Sequence, residues 1–491
     1  MDTSLLLVVP ILLPVLSGLL LGFARPLREG RAQRVFLIGA LAVNAAVVAA
    51  LVSQGGISLE LFRLTDRLTI LFRADGLARM FCVLASVMFL LVGIYCPAYL
   101  RHEGSESRFY MFFLCALGML MAFGLSGNLL TLYLFFELAT LLSMPLVLHS
   151  MKKEAVSGAL QYLYFSIAGA ALSLVGFFFI FSYGITLEFT PGGVLDMQRL
   201  DGNEGLMLFV TLLAIIGFGA KAGMFPLHAW LPIAHPIAPA PASAILSGLI
   251  TKVGIFAVIR FVHYIVGADF IRGTWVQYAW ISIALFTGIM GSLLAFGEHA
   301  LKRRLAYSTI SQIGYIMFGL AILTVTGFVG AMLQVVFHSV AKNGLFLVAG
   351  AIIIKTHHPE VADLRGIGKQ MPVSMWCFAL AALSLVGIPP LAGFTGKWLL
   401  ASGSLASDIG FFSWLGPLLI LFSAMLAAGY LLPIVINGFL PGAEYDNRYE
   451  KCEAGFSMIL PMVLFTAAAA ILGILSGGLI SLFEQIAGVV L

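Results

Sequence analysis

Charge is what this sequence has least of: Asp, Glu, Lys and Arg make up 10% of its 491 residues, against 61% hydrophobic residues. A single folded core cannot hide that much apolar surface, so a water-soluble domain is excluded and a membrane protein implied. Cysteine is scarce as well. Cys82, Cys96, Cys115, Cys377 and Cys452 show neither CxxC nor Cys/His ligand spacing, which indicates small packing residues and no redox or metal centre. Also missing are a phosphate-cradling glycine loop followed by Lys-Ser/Thr, a dinucleotide fingerprint and a nucleophile elbow. The chain therefore has no active site or cofactor of its own, and energy for any work it does comes from elsewhere. A net charge of +4 gives no sign of nucleic-acid binding, because membrane proteins collect basic residues on one face for topological reasons.

What the sequence has is long apolar runs. A spanning helix needs roughly 20 mostly apolar residues, and continuous runs of that length exclude a β-barrel. The first, Leu5 to Ala24, is too long for a typical signal-peptide core, has no basic residue before it and is followed by Arg25, Arg28, Arg31 and Arg34. It is expected to stay as span 1. The runs predict an all-α polytopic protein of about fourteen transmembrane helices, at 4–24, 35–53, 76–98, 109–125, 129–149, 158–182, 206–234, 241–263, 277–296, 303–323, 327–355, 373–401, 410–440 and 456–485. No connection is long enough to be a domain.

Connections after the odd-numbered spans, counted with the two residues at each flanking span end, carry sixteen Lys and Arg, whereas the others carry only Arg63, Arg67, Arg73, Arg199 and Arg272. The excess predicts cytoplasmic odd-numbered loops in a cell inner membrane, with both termini on the periplasmic side. Two spans are unusual. The seventh holds Lys221, Gly223 and Pro226, then Pro232 and Pro236; the twelfth holds Gly387, Pro389, Pro390, Gly393, Gly396 and Lys397. Proline removes a helix donor and clashes with the preceding turn, so both are predicted to break in the middle. Paired interruptions five spans apart point to two inverted five-helix repeats, spans 4–8 and 9–13. The expected organisation is 1–108 for spans 1–3, 109–263 and 277–440 for the repeats, and 456–491 for span 14.

Ionisable residues inside spans are costly, so each needs a partner, water or a function. Glu137 lies mid-span in span 5, with Tyr133 and Thr140 on its face. Lys221 stands beside the break in span 7, far from the span end where a lysine would snorkel. Burial favours a neutral lysine and a nearby carboxylate a charged one, so changing the Glu137–Lys221 separation would switch Lys221 between the two states. Lys252 is central in span 8, and Lys397 belongs to span 12. His338 and Lys342 share a face of span 11 at i, i+4; a lone core histidine would be unremarkable, but this pairing favours a relay. Ser308, Ser311, Gln312 and Tyr315 form a polar stripe on span 10, suited to holding water or to gluing helices together. Arg79 and Arg260 lie near span ends and are expected to snorkel.

Three stretches resemble one family, the antiporter-like subunits shared by respiratory complex I, Mrp-type cation/proton antiporters and membrane-bound hydrogenases. They are Lys221 to Pro232 with Ala234-His235-Pro236 and the block on to Gly254, then Leu301 to Tyr315, then Gly387-Ile388-Pro389-Pro390 with Gly393-Phe394 and Gly396-Lys397. The resemblance covers about residues 75 to 440. It implies Glu137 and Lys221 as a coupled pair, Lys252 as central relay, and Lys342 with Lys397 toward the exit; His228 falls in the same motif as a supporting polar group. Lysine in span 12, where some members carry glutamate, points toward Mrp D-type or similar complex I and hydrogenase subunits; the chain also stops soon after span 14, without the long lateral helix of the largest complex I member.

The expected function is proton translocation as a subunit of a redox-driven or cation/proton exchanging complex. Its partners would be other membrane subunits, a peripheral redox arm in the redox-driven case, the lipid bilayer, protons and, in the exchanging case, Na+. The alternatives are the D-type subunit of an Mrp sodium/proton antiporter, a stand-alone solute carrier and a membrane scaffold. A carrier needs a selective midplane site, yet the visible groups are protonatable and spread over several spans; a scaffold needs no buried lysines.

Overall fold

A computed structural model describes residues 3–442 and 451–491. The main helices are α1 (Val9–Phe23), α2 (Gly30–Ser53), α3 (Gly76–Leu100), α4 (Glu106–Gly124), α5 (Leu129–Val147) and α6 (Lys153–Tyr183). After them come α7 (Glu204–Ala222), α8 (Trp230–Ile237), α9 (Ala240–Val266), α10 (Trp275–Gly297), α11 (Leu301–Ala321) and α12 (Val325–Thr356). The chain finishes with α13 (Pro372–Val386), α14 (Ala392–Leu405), α15 (Phe412–Phe439), α16 (Phe456–Ile474) and α17 (Gly477–Val490). Among the described residues, 11 helices are long and apolar enough to cross a membrane. The protein is therefore a mainly helical, polytopic membrane protein.

Burial sorts these helices by role. Every residue of α9 is buried, as is almost all of α12 up to Ile352, although both carry lysines. By contrast α2 and α15 show apolar side chains such as Val43, Leu418 and Met425 on the outside, as expected where the surroundings are lipid tails or another apolar surface. The core thus lies along α9 and α12, and polar groups placed there meet neither lipid nor bulk water.

Both interruptions begin in the same way. The α7 helix ends at Gly223 (φ 87°), where Met224 N–H donates back to Gly219 O; α13 ends at Gly387 (φ 92°), where Ile388 N–H donates to Leu383 O. These are left-handed C-terminal caps, a conformation that strains any residue with a Cβ. A Cβ at Gly223 would also lie 1.9 Å from Leu231 Cδ1. Helix resumes at Trp230 after the first cap and at Ala392 after the second.

Three features depart from the sequence reading. Span 14 is two helices, because Ser476-Gly477-Gly478 is a poor helix former; α16 stops at Ile474 and α17 starts at Gly477. At its end, Gly473 lies so close to the second interruption that a Cβ there would sit 2.2 Å from Pro390 O and 2.5 Å from Ala392 N. The connection after α2 forms an antiparallel hairpin, β1 (Ser58–Arg63) with β2 (Thr69–Arg73), whose turn side is tied to the start of α5 by Asn128 Nδ2 donating to Thr69 O at 2.7 Å.

The third is Arg260, which does not snorkel. It is 3% exposed and donates through both Nη atoms to Asp75, at 2.7 Å each, between the ring faces of Phe189 and Tyr264. Asp75 in turn caps α3 by accepting from Ala78 N–H. Loop 184–196 covers this end of α9, with Thr190 N–H donating to Tyr264 O and Val194 N–H to Ile265 O, and the guanidinium takes a carboxylate in place of water. The Arg260 end of the pair is buried and the Asp75 side chain is 29% exposed, and the two bonds tie α3 to α9.

Candidate functional site: a row of buried lysines

Lys221 occupies the last turn of α7 and is 1% exposed. Its Nζ donates to Phe136 O at 2.5 Å and to Thr140 Oγ1, and lies 4.1 Å from the centre of the Phe136 ring. Both partners flank Glu137 on α5. Glu137 itself is half-buried; its Oε1 is buried without a hydrogen-bond partner, and it joins none of the ion pairs found among the described residues. The lysine is thus held by the α5 turn that carries Glu137 rather than by the carboxylate. Hydroxyls extend the cluster: Ser143 donates to Thr140 O and pairs with Tyr162 at 2.8 Å, and the Tyr162 ring packs on Trp230 at the restart of the broken helix. His228 sits in the first interruption near Phe225, its Nδ1 without a hydrogen-bond partner, and is not among the hydrogen-bond partners of Lys221.

Lys252 is fully buried just after a π-helical turn, Leu246–Ile250, in α9. Irregular turns of this kind open backbone carbonyls to other donors. Ser247 O accepts from Lys252 Nζ at 2.7 Å and from Thr251 Oγ1 at 2.8 Å. The same Nζ lies 2.6 Å from His338 Nδ1 on α12. An ammonium donates in that contact, which leaves the histidine neutral with its proton on Nε2, an atom with no partner. One turn further along α12, Lys342 donates to Leu305 O at 2.8 Å and to Ser308 Oγ on α11.

The α11 stripe continues from there. Ser311 pairs with Ser292 at 2.8 Å and Ser423 at 3.1 Å, Gln312 accepts from Gln334 at 2.5 Å, and the Tyr315 ring lies 5.3 Å from Lys397 Nζ. Lys397 reaches back across the second interruption to Leu385 O at 2.7 Å and Val386 O at 2.8 Å. Those are last-turn carbonyls of α13, which have no helix partner and carry the negative end of the helix dipole. A charge at the bilayer centre costs about 2.5–3.5 kcal/mol on insertion scales. Two charged hydrogen bonds, at about 1.5–3 kcal/mol each, are enough to offset it.

Of the residues singled out from sequence, Lys252, His338, Lys342 and Ser308 are brought together, and Lys397 joins Tyr315. Several buried groups were passed over, Lys302 and His235 among them. Lys302 is 8% exposed and donates to Ala238 O at 2.9 Å, although its place beside Arg303 and Arg304 made it look like a loop charge. His235 is fully buried, stacks on Phe346 with centroids 4.8 Å apart and has no hydrogen-bond partner on either ring nitrogen. Its signal was its place inside the Lys221 motif, 14 residues from Lys221 in sequence.

Protonatable groups set inside a sealed helical core, at helix interruptions and irregular turns, define a membrane protein organised around internal charge. Residues 126–423 match the family model described as NADH:quinone oxidoreductase/Mrp antiporter, TM. The chain is 32% identical to the N subunit of NADH-quinone oxidoreductase from Desulforudis audaxviator, over 83% of this chain and 82% of that one. It is 30% identical to the D subunit of the Na+/H+ antiporter from Bacillus subtilis, over 95% of this chain and 93% of that one. A chain of the Mrp complex from a Dietzia species shares the fold, with a TM-score of 0.85 at 22% identity, covering 100% of this chain and 98% of that one. The chain belongs to the NADH:quinone oxidoreductase/Mrp antiporter family of membrane subunits.

Proposed function

We propose that this protein moves protons across a membrane as one subunit of a multisubunit complex, either redox-driven or cation/proton exchanging, with Glu137, Lys221, Lys252, His338, Lys342 and Lys397 as the path. The observation that carries the reading is the 2.6 Å contact between Lys252 and His338, both fully buried in the core. It joins two protonatable side chains on different helices, and the proton they share can sit on either. A path of this kind needs two states that differ in where the proton sits, since permanently charged lysines would not pump. Relatives named for sodium/proton antiport and for quinone reduction support the two settings about equally, and the match to the antiporter protein runs along nearly the whole chain.

The same reading includes fourteen crossings: the 11 long apolar helices, α1, α11, and α13 with α14 as one interrupted crossing. In this reading residues 109–263 and 277–440 are the inverted repeats, flanked by 1–108 and 456–491, and the excess of positive charge on the odd-numbered loops supports both termini on the outer side. The matching glycine caps at Gly223 and Gly387 support the repeat.

The test is proton uptake into sealed vesicles carrying the complex, followed with a pH-sensitive dye. Lys252→Ala is expected to assemble and to lose most of the uptake, on the order of tenfold or more. Uptake at the unmodified rate in the assembled variant would remove Lys252, and with it this path.

A further inference from the structure

Away from the lysine row, a groove of about 480 Å³ opens on the outside of the bundle between α3, α12 and α17. Its walls are apolar, with Val83 and Val87 of α3 facing Leu479 and Leu482 of α17, and Met88 and Val336 closing the deep end. Val83 and Val87 are 40% and 43% exposed, so the groove is open and unfilled by the protein's own side chains. One cation stands at the other end. Arg79 donates from Nε to Ala74 O at 3.1 Å, and its Nη atoms make none of the hydrogen bonds or ion pairs found among the described residues.

From Arg79 to Met88 is nine residues of helix, about 14 Å along the axis. That is close to the roughly 15 Å depth of one leaflet's hydrocarbon. We propose that this groove binds a single phospholipid with an anionic headgroup, its phosphate on Arg79 at the hairpin side of the membrane and one acyl chain lying along α3 as far as Val336. The guanidinium decides between occupants. A planar donor fork with free edges matches phosphate oxygens, whereas a neutral quinone head offers no charge to it, and an apolar partner helix would bury it unpaired. Val336 is two residues before His338 on α12, about 200° round the helix, so the chain tip lies on the outer face of the helix whose inner face carries the central pair.

The test uses the purified complex in mild detergent. It is incubated with phosphatidylglycerol or with phosphatidylcholine of identical acyl chains and re-isolated, and the retained lipid per chain is counted by mass spectrometry. The expected result is one retained phosphatidylglycerol per chain and little phosphatidylcholine. Arg79→Gln is expected to lower phosphatidylglycerol retention on the order of tenfold. Val83→Trp, which fills the groove and leaves Arg79 in place, is expected to lower it as well. Equal retention of the two lipids by the unmodified complex overturns the proposal, and that arm needs no variant. So do unchanged retention by the Arg79→Gln complex and recovery of a quinone in place of the phospholipid.

Discussion

The two interruptions are built from the same parts and wired in opposite directions. Each begins with a left-handed glycine cap and has a lysine close by, but Lys221 precedes its gap and Lys397 follows it. At the first, the carbonyl of Ala220, which accepts from Gly223 N–H, accepts from the indole of Trp230 as well, and Lys221 turns away to α5. At the second, the free carbonyls of Leu385 and Val386 go to the lysine itself. Lys221 therefore depends on a different helix, one that carries a carboxylate, whereas Lys397 is held by its own broken helix. The first arrangement is tunable by a shift of α5; the second changes only if the broken helix that holds it rearranges.

The largest effect is expected from removing the tunable element. Lys221→Ala and Glu137→Ala should each abolish proton uptake in the vesicle assay while the complex still assembles, because either loss leaves its former partner with nothing to respond to. Near-normal uptake in both would dissolve the contrast between the two sites. Lys397→Ala comes next. It should also stop vectorial transport, but Lys397→Glu is expected to keep a fraction of it, since a protonated carboxyl can donate to the carbonyls that Lys397 now uses. Full transport by Lys397→Ala would show that the path leaves elsewhere. The smallest change is Thr140→Val, which removes one hydroxyl from Lys221 and leaves Phe136 O. A drop in uptake of about tenfold or less is expected. A loss as complete as that of Lys221→Ala would mean that Thr140, not Glu137, sets the state of the lysine.

Much of this was legible because proline, glycine and lysine are conspicuous in apolar runs. Gly223 and Gly387 end helices where the sequence placed interruptions, since no local alternative satisfies those positions. What stayed hidden depends on distant partners. Lys252 and His338 are 86 residues apart, and nothing near either one announces the other. Arg260 looked like a residue free to reach water because its carboxylate, Asp75, lies 185 residues earlier. Lys302 was masked by two neighbouring arginines, Arg303 being half exposed while Lys302 turns inward to Ala238. The split between α16 and α17 was written in Ser476-Gly477-Gly478 but outweighed by the apolar residues on both sides.

The contact of Gly473 with the second interruption bears on how this part of the molecule can move. Backbone meets backbone there, at Pro390 and Ala392, with no side chain between to fold aside. A pivot needs slack on at least one side, and α16 takes the slack away on this one. The short link between α13 and α14 is thus pinned from the α16 side, and a rearrangement around Lys397 has to be borne by the opposite flank, where α11 offers hydroxyls and the ring of Tyr315. A residue larger than glycine at position 473 would act as a wedge, pushing α16 off the link and loosening the joint without touching a single protonatable group.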